Sequence, residues 1–327
     1  MSFFDPSGAY SEEWYSDKAS REAADVVNVV IGQTLIGIDA QLSSPPDASD
    51  TVAPVTKATV APLPNGTGWS NGPVTVTLAA EDNPGGSGMV GGSAKSEHKV
   101  DSGAWTTGVT LNVAGDGTHT VSYRSTDAAG NVEAAKSVTV KIDTEAPTTT
   151  VTGVPSGWVN HAVTLGLSAS DVLSGVASCE YALDGGAFTQ GHSVTISAPG
   201  THTVSYRSTD AAGNVEAAKS VTVKIDTGKP VAAASRNVTA KKGRLASLPF
   251  TVTDAAPSCG RATVRITIKL GGRTVKTITV PNVTTNRTGS HAFLAALRPA
   301  IYTWTVRAAD VAGNTGRASA PRKLVVR

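Results

Sequence analysis

Apolar and polar residues alternate strictly over short stretches of this chain. Val163, Leu165, Leu167 and Ala169 alternate with Thr164, Gly166 and Ser168. His202, Val204, Tyr206 and Ser208 share one face, and Thr203, Ser205 and Arg207 the other. Val221, Val223 and Ile225 alternate with Thr222 and Lys224. A period of two with one apolar face predicts half-buried β-strands. Turn chemistry separates them. Ala211-Ala212-Gly213-Asn214 predicts a tight turn, because Gly takes positive φ and Asn tolerates the left-handed region. Asp184-Gly185-Gly186 predicts another hairpin. A trace of helical period is confined to Ser16–Val26.

These strands recur as a unit. Gly117–Thr144 and Gly200–Thr227 are identical, 83 positions apart. Upstream, Gly68-Trp69-Ser70-Asn71 matches Gly157-Trp158-Val159-Asn160 at an offset of 89. The first copy therefore carries a six-residue insertion, placed in the Gly-rich stretch Asn83–Ser96. Tyr302–Asn314 matches His202–Asn214 and marks a third, diverged copy. Asp-Thr-x-x-Pro linkers start at Asp50, Asp143 and Asp226. The 327 residues suit about two domains by length alone. The repeats predict three, at 50–143, 144–227 and 228–327, after an N-terminal remnant with linker over 1–49. A period this long suits an array of whole small domains rather than a solenoid. About seven short strands per unit predict an all-β fold of tandem immunoglobulin-like β-sandwiches joined by short linkers.

The shared pattern runs from Gly-Trp-x-Asn through Asp-Gly-Gly and His-Thr-Val-x-Tyr-Arg to Ala-Gly-Asn and Ile-Asp-Thr. It resembles the tandem bacterial Ig-like repeats of the OmpL47 type. That resemblance implies an extracellular or cell-wall setting, and it is specific for fold rather than for activity. The first 42 residues differ and hold Phe3, Phe4, Tyr10, Trp14 and Tyr15. Val26–Leu42 reads as strand, Gly turn, strand. The segment resembles the last strands of a carboxypeptidase-regulatory-like or Cna-B-like sandwich, so the chain is expected to begin inside a domain.

Composition narrows the class. With 40% hydrophobic and 17% charged residues, the chain is not wholly disordered. It has no apolar run of about 20 residues, hence no expected membrane span. Two Cys cannot build a disulfide scaffold. Cys179 and Cys259 fall in different repeats and read as small apolar fillers. Formal net charge is +2, but it is unevenly spread. Residues 1–227 carry 11 Lys+Arg and 24 Asp+Glu, while 228–327 carry 17 and two, Asp254 and Asp310. The basic last domain could dock on a polyanion such as a wall polymer or acidic polysaccharide. Nucleic acid is disfavoured, because no recognition motif accompanies the charge.

Candidate chemistry is sparse. Of the six His, His98, His161, His192 and His291 show neither an HExxH spacing nor a close His–carboxylate spacing. His119 and His202 stand eight residues before Asp127 and Asp210, as Tyr302 stands before Asp310. That position is expected to make a tyrosine-corner hydrogen bond. The stretch Gly-Gly-Ser-Gly-Met-Val-Gly-Gly lacks the signature of a phosphate loop or a nucleophile elbow. Trp105 and Phe188 occupy equivalent positions and could form a sugar platform, though packing is the simpler expectation. Trp69 and Trp158 are expected in the core. No catalytic or organic-cofactor site is expected.

Acidic residues form the one constellation with chemical promise. Asp82, Asp171 and Asp254 end the second strand of each unit, and Asp127, Asp210 and Asp310 the sixth. In an Ig sandwich both loops lie at one tip, where the linker also arrives. Asp143 and Glu145 could therefore meet Asp171 and Asp210, and Asp226 could meet Asp254 and Asp310. Converging carboxylates suit Ca²⁺, and the adhesin arrays that this chain resembles include Ca²⁺-stiffened members. The alternative is that each Asp simply caps its Ala-Gly-Asn turn. Gly228-Lys229, standing where Glu145-Ala146 stood, weakens the third junction as a cation site.

The expected function is a non-catalytic stalk or adhesion segment of an extracellular bacterial protein. It would be a monomer whose partner is an extracellular polysaccharide, a cell-wall polymer or a surface protein. The alternatives are an accessory tail of a secreted glycosidase or peptidase with its catalytic domain upstream, or a polyanion-binding module acting through the last domain.

Overall fold

The computed structural model describes residues 50–90 and 94–327, with the paired two-residue strands Ser2–Phe3 and Glu13–Trp14. The readings of Ser16–Val26 and Val26–Leu42 lie outside the described residues. Among the described residues every regular element is a β-strand. The chain divides into two compact units, Met1–Glu145 and Ala146–Arg327.

Among the described residues the first unit holds one sandwich. One sheet orders its strands Val55–Ala61, Val74–Glu81, Thr110–Val113. The other orders Thr106–Thr107, Lys95–Val100, Gly117–Thr126, Lys136–Ile142. The second unit holds two sandwiches, each pairing a three-stranded with a five-stranded sheet. In the earlier one, Thr148–Thr152, Val163–Ser170 and Ser193–Ile196 face a sheet built around Val176–Leu183, Gly200–Asp210 and Lys219–Ile225. In the later one, Val231–Ala234, Leu245–Thr253 and Arg287–Leu294 face a sheet built around Arg261–Leu270, Ala300–Asp310 and Arg322–Val326. The all-β tandem sandwich is the architecture that the alternation predicts.

The period of two decides what is buried. Val163, Leu165, Leu167, Val204, Tyr206, Val223 and Ile225 are all buried. The identical segment of the first unit buries Val121, Tyr123, Val140 and Ile142 in the same way. Each fully buried side chain of this size contributes about 1.5–3 kcal/mol. The last sandwich has the bulkiest core, with Trp304, Tyr302 and Phe250 at its centre. The hairpin turn at Asp184-Gly185 has φ of 51° and 76°, and the repeated turn places Gly213 at φ 100°. In both, a residue that tolerates the left-handed region stands where the backbone requires it.

Two expectations about aromatic and sulfur residues need correction. Trp69 and Trp158 are half-buried rather than core. Trp158 sits in the short strand Trp158–Val159, which flanks the edge of the five-stranded sheet, and Lys141 lies 5.7 Å from the ring centre of Trp69. Trp158 is thus at the sheet edge, and Trp69 stands next to the isolated bridge Ser70–Ile142, so neither is enclosed by both sheets. Cys179 is an apolar filler, packed with Leu167 and Tyr206, but Cys259 is not. It is partly exposed in a loop, and its thiol donates to the Arg261 carbonyl at 3.4 Å.

Candidate functional site: the acidic tips and their supports

The Ala-Gly-Asn turn is built the same way three times. Asp127 Oδ1 accepts from Asn131 N at 2.8 Å, and Oδ2 from Asn131 Nδ2 at 2.8 Å. Asp210 does the same with Asn214 at 2.8 and 2.8 Å, and Asp310 with Asn314 at 2.7 and 2.8 Å. The Asn amide then reaches the incoming linker. Asn131 Nδ2 donates to the Asp50 carbonyl at 3.0 Å, and Asn314 Nδ2 to the Asp226 carbonyl at 2.6 Å. The Asp of the turn is thus a cap, and the Asn is a clasp on the chain that enters the sandwich.

Carboxylates converge at these tips. In the first unit, oxygens of Asp50, Asp82 and Asp127 lie within 4.8 Å of one another. All six oxygens accept N–H groups: Asp50 from Val52 and Ser87, Asp82 from Asn83 and Gly88, Asp127 from Asn131. Asp143 and Glu145 close the first unit, where Asp143 Oδ1 accepts from Glu145 N at 3.1 Å. Asp171 and Asp210 belong to the second unit, with one oxygen of each within 4.8 Å of the other. Asp171 Oδ1 accepts from Leu173 N and Gly175 N.

The joint between the two sandwiches of the second unit is different. Asp226, Asp254 and Asp310 each bring an oxygen within 4.8 Å of the others, and the Cys259 sulfur falls within the same limit. Asp226 Oδ1 accepts from Gly228 N at 3.0 Å, and Oδ2 from Cys259 N at 2.9 Å. Asp254 is 3% exposed, and neither of its oxygens has a hydrogen-bond partner. Burial, then the charges of Asp226 and Asp310, push its pKa up to about 6. A buried carboxylate with no donor carries the full cost of lost hydration.

The histidines form corners. His202 Nε2 meets the Ala198 carbonyl at 3.0 Å, and His119 Nε2 meets Gly115 at 3.1 Å. Tyr302 Oη donates to the Arg298 carbonyl at 2.8 Å from the matching position. The His rings have a second partner that sequence reasoning missed. His119 Nδ1 lies 3.0 Å from Asp101 Oδ2, and His202 Nδ1 lies 2.8 Å from Asp184 Oδ2. Both ring nitrogens face acceptors, so the doubly protonated ring satisfies both. The Asp hydrogen bond is the main cause that raises each His pKa above 6.5.

A buried carboxylate behind the turn was also missed. Glu133 is 7% exposed and spans the two sheets. Its Oε2 accepts from Thr56 N at 3.1 Å, and its Oε1 from Ser125 N at 3.0 Å. Lys136 Nζ lies 2.9 Å from Oε2. Burial alone would raise its pKa, but the hydrogen bonds from Thr56 and Lys136 outweigh it and hold the pKa below 4.5. Glu216 repeats the contacts with the Thr and the Lys, here Thr149 and Lys219, through Oε1, while its buried Oε2 has no hydrogen-bond partner. The third copy has Gly316 there, where an added Cβ would stand 1.8 Å from the Pro230 carbonyl oxygen. The signal was the Val-Glu pair after each Ala-Gly-Asn and its replacement by Thr-Gly in the third copy.

Trp105 and Phe188 are half-buried and covered. The Arg124 guanidinium stacks 4.4 Å from the Trp105 ring centre, and Arg207 lies 4.2 Å from that of Phe188. Each Arg is held by a Glu on the neighbouring strand, Glu97 at 3.1 Å and Glu180 at 2.6 Å. A sugar ring would have to displace an anchored cation, so packing is the role these aromatics fill.

No family model and no curated protein matches the chain. Solved structures similar to it include the fibronectin(III)-like modules of Clostridium thermocellum CbhA, at 14% identity and TM-score 0.29, covering 52% of this chain and 94% of that one. The FN1–FN3 domains of chicken CNTN1 match at 12% identity and TM-score 0.27, covering 83% and 97%. Among the described residues no helix is long and apolar enough to cross a membrane.

Proposed function

We propose that this chain is a non-catalytic stalk or adhesion segment of an extracellular bacterial protein. One observation carries the reading. The side chains with the best chemical credentials serve repeated structural contacts: His119 and His202 in corners, Asp127, Asp210 and Asp310 in turn caps, Trp105 and Phe188 under arginines. A repeated module that spends its reactive groups on its own scaffold is suited to spacing and display. Antibody labelling of intact cells and of culture medium tests this, with signal expected on the surface or outside. Detection only in the cytosol sinks it. Sequencing upstream in frame tests the alternative of an enzyme's accessory tail, which requires a catalytic domain there.

A second reading, polyanion binding by the last sandwich, is favoured by where its acids lie. Asp254 and Asp310, the only acidic residues of 228–327, are 3% and 7% exposed. The exposed side-chain charge of that stretch is therefore positive. Arg236, Lys241 and Arg244 line one surface cleft with Asn237 and Ser247. Cosedimentation with anionic wall polymer should fall steeply between low and high salt. Binding that ignores salt counts against this reading.

A further inference from the structure

We propose that Asp226, Asp254 and Asp310 form a binding site for a hard divalent cation, Ca²⁺, at the joint between the two sandwiches of the second unit. The argument starts from distance. Oxygens that share one Ca²⁺ at 2.3–2.6 Å lie no more than about 5 Å apart, and these carboxylates offer oxygens within 4.8 Å of one another. Convergence alone is not enough, because the Asp50–Asp82–Asp127 cluster converges equally and satisfies all its oxygens with N–H groups. The separate observation is Asp254. Its carboxylate is buried to within 3%, stands in the cluster, and has no donor on either oxygen. A cation supplies what the protein does not. It offsets two of the three converging negative charges and replaces the hydration that Asp254 has lost.

The local backbone keeps side-chain carbon away from it. A Cβ at Gly228 would lie 3.2 Å from Asp226 Oδ1 and 3.4 Å from Asp254 Oδ1, with the Ala255 carbonyl oxygen 3.9 Å away. The glycine thus keeps a side-chain carbon from crowding two carboxylate oxygens and one neutral oxygen. Asp226 and Asp310 each accept two N–H bonds, yet a carboxylate has about four lone-pair sites, so each keeps capacity for a cation. The Cys259 thiol donates to Arg261 O and is left outside the oxygen ligand set.

The test is calorimetric titration of the EDTA-stripped full chain with CaCl₂, together with melting in CaCl₂ and in EDTA. Asp254→Asn should remove one Ca²⁺ equivalent or weaken that site at least about tenfold, since ligand charge sets affinity. Its melting temperature in EDTA should equal or exceed that of the parent chain, because the amide removes a buried repelling charge. That result shows that the variant is folded. Gly228→Ala keeps every carboxylate and should also weaken Ca²⁺ binding, by crowding the Asp226 and Asp254 oxygens. Unchanged Ca²⁺ stoichiometry and affinity in Asp254→Asn overturns the proposal. So does uptake of Zn²⁺ but not Ca²⁺, lost in Cys259→Ser, because the site would then be built on sulfur.

Discussion

Glu133→Ala should unfold the first sandwich far more readily than its surface charge suggests. Glu133 accepts from the backbone N–H groups of Thr56 and Ser125, residues that are 2% and 0% exposed. Truncation leaves two buried donors without an acceptor, each costing about 1–3 kcal/mol. The lower half of that range gives about 3 kcal/mol in total. For a domain of 60–100 residues, 1 kcal/mol moves the melting temperature by about 4–8 °C. A drop of about 15 °C follows. The ion pair with Lys136 is a separate and smaller matter, since that lysine side chain is 39% exposed and such pairs contribute under about 1 kcal/mol. Lys136→Met is therefore the control. Differential scanning calorimetry of the full chain resolves the transition that moves. If Glu133→Ala lowers it no further than Lys136→Met does, the carboxylate is not the acceptor that joins the sheets.

Three further outcomes are expected. The His119 and His202 pKa values are raised above 6.5, so the stability from these corners is complete below pH 6.5 and is lost as pH rises through the folded values; the NMR titration midpoints of both rings should lie above 6.5, and midpoints at or below it remove the doubly bonded ring. Gly316→Ala puts a methyl 1.8 Å from the Pro230 carbonyl oxygen, so the last sandwich should lose at least about 3 kcal/mol in a urea melt, and a neutral substitution would show that the linker yields. Under native conditions iodoacetamide should alkylate the partly exposed Cys259 and spare Cys179, which is 2% exposed; mass spectrometry that finds equal labelling contradicts the packing of Cys179 against Tyr206.

The fold was legible because strand period and turn chemistry are local. Val163, Leu165 and Leu167 announce their face by spacing alone, and Gly213 announces its turn by identity. The tips were half legible. Asp254 and Asp310 could be brought together from strand order, because the loops after the second and sixth strands share an end. Which oxygens would lack donors could not be read, since that depends on how the loop around Cys259 turns its N–H groups. Glu133 escaped notice for a related reason. Its sequence neighbours make it look like surface charge, and only the approach of strand Val55–Ala61 makes it an acceptor. Gly228 misled in the opposite direction. As a lost ligand it weakens the third junction, but in space it keeps a side chain off the carboxylate oxygens.

The short strands at the sheet edges have a mechanical consequence. Trp158–Val159 runs parallel to Lys224–Ile225, and Val238–Ala240 runs parallel to Leu324–Val326. In each sandwich one partner lies near the entering end of the chain and the other near the leaving end. Tension along the chain pulls such a parallel pair lengthwise, so its hydrogen bonds must break together rather than unzip one by one. The paired length grows along the chain, from the single bridge Ser70–Ile142 to two residue pairs and then three. Under a steadily rising pull the sandwiches should therefore yield in chain order. The first would act as an extensible fuse, and the last sandwich would stay folded longest.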